Sequence, residues 1–318
     1  MRYLTTGDYQ LNEQNRFHDY IKQLKVIEEQ SKKVKYDYYI NAGDVFEHKK
    51  PTPSELKIFA NHLRNIKAKN KIIIVGNHDE LSETLTNLDW LPDDIIVTKT
   101  FQITDNKNMI YVAHRTVSEA KTGLDWKLNE ISYKELAKQT EANIIILGHI
   151  HTPQIINKKN PLVFHPGSIE RNTFGERNDK KYIWDLDIKS KTDIKLTKTK
   201  LDIKPMHYII YNIDDKEITV NDKKVQVFDI KNSIVKVDIV GTKERINKIN
   251  YDKLLDKFSG AYKLDFNFIY SDSEVKEFKM NESVAIKSDI ELLEDYAKDK
   301  ELNSKLIKYG KKIINEFN

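Results

Sequence analysis

No cysteine occurs among the 318 residues. That excludes disulfides and thiolate metal sites, and leaves His, Asp, Asn and Glu to bind any metal. An excess of one charge is also missing: 53 Lys and Arg face 49 Asp and Glu, a net +4. So slight a basic balance permits a nucleic-acid partner through local patches without arguing for one. No apolar run approaches membrane-spanning length, and the chain enters a strand after Met1-Arg2 with no charged-then-apolar leader. A cytoplasmic protein with no membrane partner is expected from these two absences. Internal repeats and low-complexity tracts are lacking as well. What is present is 39% hydrophobic residues, enough for a core, and 32% charged residues, which imply a heavily solvated surface. The length favours two or three units over one compact domain.

Strand and helix patterns alternate in the first part. Strand 2–6 leads to a helix over 13–33, where Phe17, Ile21, Leu24 and Ile27 recur at helical spacing. Strand 37–42 and a helix from Pro53 or Ser54 to 67 follow, with Glu55 in the first turn. Strands are then expected at 71–75, 95–97, 100–103 and 109–112, a turn at 105–108, a helix near 131–139, and strands at 143–147, 162–164 and 181–186. This order, βαβα running into short antiparallel strands, favours two sheets packed between helices. The Lys/Asp/Thr-rich stretch 189–204 ends at Pro205 and reads as a solvated hairpin, with DNA-backbone contact as the minor alternative, so a boundary is placed there. Beyond it, alternating stretches at 234–240 and 261–270 flank a helix over 243–258, a small α+β unit. Ser288-Asp289-Ile290-Glu291 is a capping-box sequence, and Leu302, Leu306, Tyr309, Ile313 and Phe317 form one helical stripe. The expected units are therefore 1–204, 205–287 and 288–318.

Four segments share a design: a short apolar strand, then Gly, then a potential ligand. Asp8 follows Gly7, Asp44 follows Gly43, Asn77-His78-Asp79 follow Gly76, and His149 and His151 follow Gly148. His114 stands alone after strand 109–112. Metal-assisted phosphoester hydrolysis needs two cations close together, held by a bridging carboxylate and by O and N ligands from separate segments. Asp8, Asp44, Asn77, His114, His149 and His151 supply that set, and sulfur-free ligation suits manganese, with iron, zinc or magnesium as alternatives.

These segments resemble the motifs of the calcineurin-like metallophosphoesterases, Asp-x-His, Gly-Asp, Gly-Asn-His-Asp, a lone His and Gly-His-x-His, in the same order. Gly43-Asp44-Val45-Phe46 with Pro51 and Pro53, and His165-Pro166-Gly167-Ser168-Ile169-Glu170-Arg171 with Phe174-Gly175-Glu176, sharpen the likeness to the SbcD-type (Mre-type) nuclease subunits of double-strand-break repair. The likeness covers about the first 180 residues. It implies a four-layer αββα sandwich with a small α+β capping, DNA-binding domain and C-terminal helices. It also implies that Asp8 and His151 hold one metal, that Asn77, His114 and His149 hold the other, and that Asp44 bridges them. His78 would be a non-ligand that donates to the phosphate or to the leaving oxygen. Further implications are a homodimer formed through a helical face among 53–68 or 81–91, and C-terminal helices that grip an SMC-like ATPase of the SbcC type. The helical stripe could instead pack on its own domain.

Asp79 either orients the His78 ring or serves as a charge at a helix N-terminus. Gln10 stands where the family carries His, so it either ligates through its amide oxygen, acts through a water, or leaves the first metal site weak. Arg16, Arg115 and Arg171 are candidates for DNA phosphate contact. His18, His62 and His207 read as structural or solvated and His48 as a surface-loop residue, with lining of a DNA groove as its minor alternative, while His165 is placed near the metals without binding them. The function expected is a metal-dependent DNA exonuclease or endonuclease acting on ends or hairpins. The rivals are a small-molecule phosphodiesterase or phosphatase, and a non-catalytic DNA-end scaffold motivated by Gln10.

Overall fold

A computed structural model describes residues 1–79, 94–121, 130–225 and 229–271. The C-terminal stripe and the 81–91 half of the expected dimer face lie outside these residues. So does the sequence's capping box at Ser288.

The first sheet takes β1 (Arg2–Thr6), β2 (Tyr36–Asn41), β3 (Ala68–Ile74), β4 (Ile95–Thr98), β10 (Tyr182–Ile188) and β11 (Ile194–Lys200), in the order β11-β10-β1-β2-β3-β4. β1 to β4 run parallel, and β10 and β11 add antiparallel edges. The second sheet takes β5 (Thr100–Asp105), β6 (Asn108–Ala113), β7 (Ile144–Leu147), β8 (Gln154–Asn157) and β9 (Leu162–His165), in the order β5-β6-β7-β9-β8. β6, β7 and β9 are its parallel centre.

Three apolar layers stack these parts. α1 (Phe17–Lys33) and α2 (Pro53–Asn65) cover one face of the first sheet, where Leu24, Ile27, Phe59 and Leu63 meet Leu4, Tyr39 and Ile73. Tyr3, Ile40, Ile72 and Trp184 of that sheet meet Ile110, Val112, Ile146 and Phe164 of the second. α3 (Tyr133–Thr140) closes the far side, where Leu136 packs near Ile145 and Val163. β7 reads Ile-Ile-Ile-Leu because both of its faces are covered, and each such side chain fully buried is worth about 1.5–3 kcal/mol. This is the four-layer α/β sandwich that the alternation predicts.

A third sheet contains β12 (Met206–Asn212), β13 (Glu217–Val220), β14 (Lys223–Lys224), β15 (Ile234–Gly241) and β16 (Lys263–Tyr270), in the order β14-β13-β12-β15-β16. The helix expected over 243–258 is instead two, α4 (Lys243–Ile246) and α5 (Tyr251–Lys257). The break falls at Asn250, whose side chain accepts from Lys253 N at 3.0 Å and so caps a new helix rather than continuing the old one. α1 likewise starts four residues later than expected, because Arg16 adopts a left-handed backbone (φ 56°). Its buried face is Tyr20, Leu24 and Ile27, with Phe17 and Ile21 half-buried.

Candidate metal centre

Parallel strands release their carboxyl ends to one side, and here both sheets release them to the same side. Asp8, Asp44 and Asn77 follow β1, β2 and β3, while His114 and His149 follow β6 and β7. The loops cross-bond: Asp8 N donates to Gly43 O at 2.9 Å, Gln10 N to Asp44 O at 2.9 Å, and Gly148 N to Ala113 O at 3.0 Å. Asp8, Asp44 and His149 take positive φ (47°, 51° and 78°), a conformation uncommon for residues other than glycine. Glycine is sterically required at several of the loop positions that precede the candidate ligands. A Cβ on Gly76 would lie 2.0 Å from Asp44 Oδ1, and one on Gly43, itself at φ 110°, would lie 2.3 Å from His114 Nδ1.

One oxygen from each of Asp8 and Asp44 and one nitrogen of His114 lie within 4.8 Å of one another. His114 donates from Nδ1 to the Ala42 carbonyl at 2.9 Å, which turns Nε2 toward Asp44 Oδ2 at 3.2 Å. The Asn77 amide oxygen stands 3.0 Å from His114 Nε2 and 3.0 Å from His149 Nδ1. Asp8 accepts from His149 N at 2.9 Å through Oδ1. Five of the six proposed ligands are thus gathered by direct contacts, and His151 is close enough to Asp8 for their charges to shift each other.

The electrostatics are those of a cation site. Burial drives the Asp8 pKa up. It also works against the Asp44 carboxylate, but hydrogen bonding and charge from His114 outweigh it and hold Asp44 below its ordinary value. Burial opposes a charged His114 too, yet Asp44 and Asp8 raise its pKa to about 9. A protonated imidazole here stands in for positive charge that two buried carboxylates demand. Asp8 Oδ2 is buried with no hydrogen-bond partner among the described residues. An orphaned carboxylate oxygen beside a second carboxylate and imidazole nitrogens is a donor set that fits divalent cations.

One predicted role changes. Asp79 does not orient His78: its carboxylate accepts from Gly76 N (3.1 Å), Val45 N (3.1 Å) and Phe46 N (3.2 Å), clasping the two ligand loops together. Burial pushes its pKa up to about 6 against those three donors. The His78 ring is set instead by the Glu47 carbonyl, 2.7 Å from Nδ1, a contact to a backbone atom that no side-chain motif announces. Since a carbonyl only accepts, Nδ1 donates and Nε2 is the nitrogen left to exchange a proton. Gln10 is 4% exposed, and its amide oxygen accepts from Asn172, whose own oxygen accepts from the Tyr20 hydroxyl at 2.7 Å. That oxygen is already engaged by a neighbouring loop.

Two of the three arginines are internal braces rather than phosphate contacts. Arg16 has a side chain 5% exposed and pairs with Glu170 (2.7 Å) and Asp19 (2.9 Å). Arg171 donates to the Asp179 and Lys204 carbonyls. Arg115 keeps 37% of its side chain exposed, with Glu130 at 3.4 Å as its partner. His165 is fully buried, donates to Gly148 O at 3.1 Å and is held neutral by burial, with a pKa lowered to about 4. His62 is buried in the helix layer.

The calcineurin-like phosphoesterase superfamily domain matches residues 17–191, and the chain belongs to that superfamily. Among solved structures, an archaeal phosphodiesterase is 18% identical over 63% of this chain and all of its own, with a TM-score of 0.40. A single-residue variant of Vps29 from Entamoeba histolytica is 15% identical over 64% of this chain and all of its own, with a TM-score of 0.41. A predicted phosphoesterase from Streptococcus pneumoniae TIGR4 is 16% identical over 63% of this chain and 88% of its own, with a TM-score of 0.36. No curated protein gives a significant match. The fold implies divalent metal ions and metal-dependent phosphoesterase activity. Among the described residues no helix is long and apolar enough to cross a membrane.

Proposed function

We propose that the protein is a two-metal DNA nuclease of the SbcD type, with manganese as its working metal. The observation that carries hydrolysis is the meeting of Asp8, Asp44, Asn77, His114 and His149 at the carboxyl ends of two sheets. Asp44 would bridge two cations, with Asp8 and His151 on one side and Asn77, His114 and His149 on the other. Such cations supply neutralisation of phosphate charge and activation of a water. The protein's own part is to hold that geometry and to move a proton. His78, fixed through Nδ1 by Glu47 O, presents Nε2 to the leaving oxygen. Arg115, beside His114, offers a guanidinium to a non-bridging oxygen.

DNA as the substrate is supported by the resemblance to SbcD-type nucleases that the Pro166-Gly167-Ser168-Ile169-Glu170-Arg171 segment carries, and by a groove on the third sheet. That groove, about 410 Å³, is lined by Tyr211, Arg245, Lys248, Lys253 and Lys257, among others. Lys257 Nζ lies 4.3 Å over the Tyr211 ring, and Lys253 has no side-chain partner among the described residues. Lysines interleaved with a tyrosine face suit a phosphodiester backbone with exposed bases. The partner proposed is an SMC-like ATPase engaged through residues 288–318, with homodimerisation through the nuclease domain.

The deciding experiment is a nuclease assay on end-labelled duplex and hairpin DNA with manganese, with and without a cognate ATPase. Manganese-dependent cleavage supports the reading. Hydrolysis of bis-p-nitrophenyl phosphate with none of DNA identifies a small-molecule phosphodiesterase instead. Stoichiometric DNA binding without turnover identifies a scaffold.

A further inference from the structure

Lys181 is completely buried, and a buried ammonium is tolerated only when its protons are all taken. They are: Nζ donates to Glu176 Oε2 at 2.6 Å, Ser168 Oγ at 2.8 Å and His151 O at 2.9 Å. The other Glu176 oxygen, Oε1, lies 3.1 Å from His151 Nδ1. Ser168 adds a second bond to the same carbonyl, from its backbone N at 3.0 Å, while its hydroxyl donates to Glu170 O at 2.7 Å. His151 is therefore held at both ends, its carbonyl by Lys181 and Ser168 and its ring by Glu176. A purely structural ion pair would need no contact with that ring. An isolated buried pair is also weak evidence of stability, since apolar residues of similar volume usually serve as well.

We infer that Glu176, clamped by the buried Lys181, is the positioning carboxylate of His151 and fixes its ring so that Nε2 is the nitrogen left to bind a cation. A carboxylate only accepts, so Nδ1 must carry the proton, and in the neutral ring the lone pair then sits on Nε2. A carboxylate behind a metal-binding imidazole sets its tautomer and strengthens it as a donor, and its loss typically lowers metal affinity 10- to 100-fold. The chemistry recognised is that of a divalent cation. The device sits on the 3-10 turn Phe174–Glu176, in the segment whose Asn172 holds Gln10. One segment thus supports two residues of the expected first metal position.

This inference rests on the reading of His151 as a ligand, so the test separates the two. The full chain is compared with Glu176→Met/Lys181→Met, which removes both charges together and preserves volume, with Glu176→Gln and with His151→Ala. Calorimetric titration with manganese counts sites and affinities, and nitrogen-15 shifts of the metal-free protein report the His151 tautomer. The double variant should bind one of two manganese ions 10- to 100-fold more weakly and lose its preference for the Nδ1-protonated ring. The other site should be unaltered. Glu176→Gln keeps an acceptor oxygen, should show the smaller loss of about 10-fold, and serves if the double variant does not fold. Unchanged tautomer and unchanged affinities in the Glu176 variants would overturn the inference while leaving the ligand reading intact. Unchanged manganese binding in His151→Ala would overturn both.

Discussion

Asp44 ties three loops of the centre together: Oδ2 faces His114, Oδ1 accepts from His78 N at 3.0 Å, and its backbone oxygen accepts from Gln10 N. Asp44→Asn should therefore abolish turnover and lower the manganese count by calorimetry, because in the proposed centre its bridging charge would serve both positions. His78→Ala should behave differently, retaining both ions while turnover falls about 10²–10⁴-fold, the scale of a positioned acid–base group. Loss of an ion in His78→Ala would make it a ligand. At this scale the candidate ligands were legible because each follows a strand that ends in a recognisable apolar run. The roles of their neighbours were not. Nothing in Gly76-Asn77-His78-Asp79 reveals that Asp79 turns back to the amides of Val45 and Phe46, since those lie over thirty residues away in the chain. Arg16 and Arg171 misled for the same reason: a guanidinium near a motif reads as a phosphate contact until its long-range partners Glu170 and Lys204 are known.

The helix over 53–65 shows how an element is both started and loaded. Thr52 accepts from Glu55 N at 3.2 Å while Glu55 returns the bond to Thr52 N at 2.7 Å, a reciprocal cap with Pro53 in the first turn. Thr52→Ala should cost about 0.5–2 kcal/mol in urea denaturation, and Thr52→Ser should restore most of it. A Thr52→Ala midpoint equal to that of the parent would show the cap to be idle. The same helix buries His62 between the Tyr9 hydroxyl at 3.4 Å and Glu28 at 3.0 Å. Burial lowers its pKa despite Glu28, so below about 6.5 the unfolded chain binds a proton that the folded chain resists. Stability tied to His62 is then fully present above that pH and lost as pH falls below it toward the folded-state value. Between pH 7.5 and 5.5 the parent should lose more unfolding free energy than His62→Gln, and equal losses would refute the assignment. Most elements here were legible because both sheets bury continuous Ile/Val runs. β8, β13 and β14 escaped notice because segments of two to four residues are too short to show a period, and β12 because its buried residues, Met206 and Ile209, stand three apart rather than alternating. The break at Asn250 was hidden because the apolar spacing of 243–258 continues across it.

On the scale of the whole molecule, charge is nearly balanced at +4, so any grip on DNA must come from local geometry rather than from a global field. The third sheet offers such geometry. On α5, Lys253 and Lys257 line the groove one helical turn apart, whereas Asp252 and Asp256 are not among its lining residues. Tyr211 stands beneath Lys257, and Tyr251 is 50% exposed on the same helix. If this face meets the DNA backbone, each lysine displaces a condensed counterion. Lys253→Glu/Lys257→Glu should then weaken duplex binding at every sequence tested, and should shallow the dependence of log K on log salt by about 1 per lysine. Fluorescence anisotropy with a labelled hairpin across a salt series measures both quantities, and a thermal melt checks that the third sheet survives. A slope identical to that of the parent, on a folded variant, would move the DNA contact off this groove and back toward Arg115 and the metal centre.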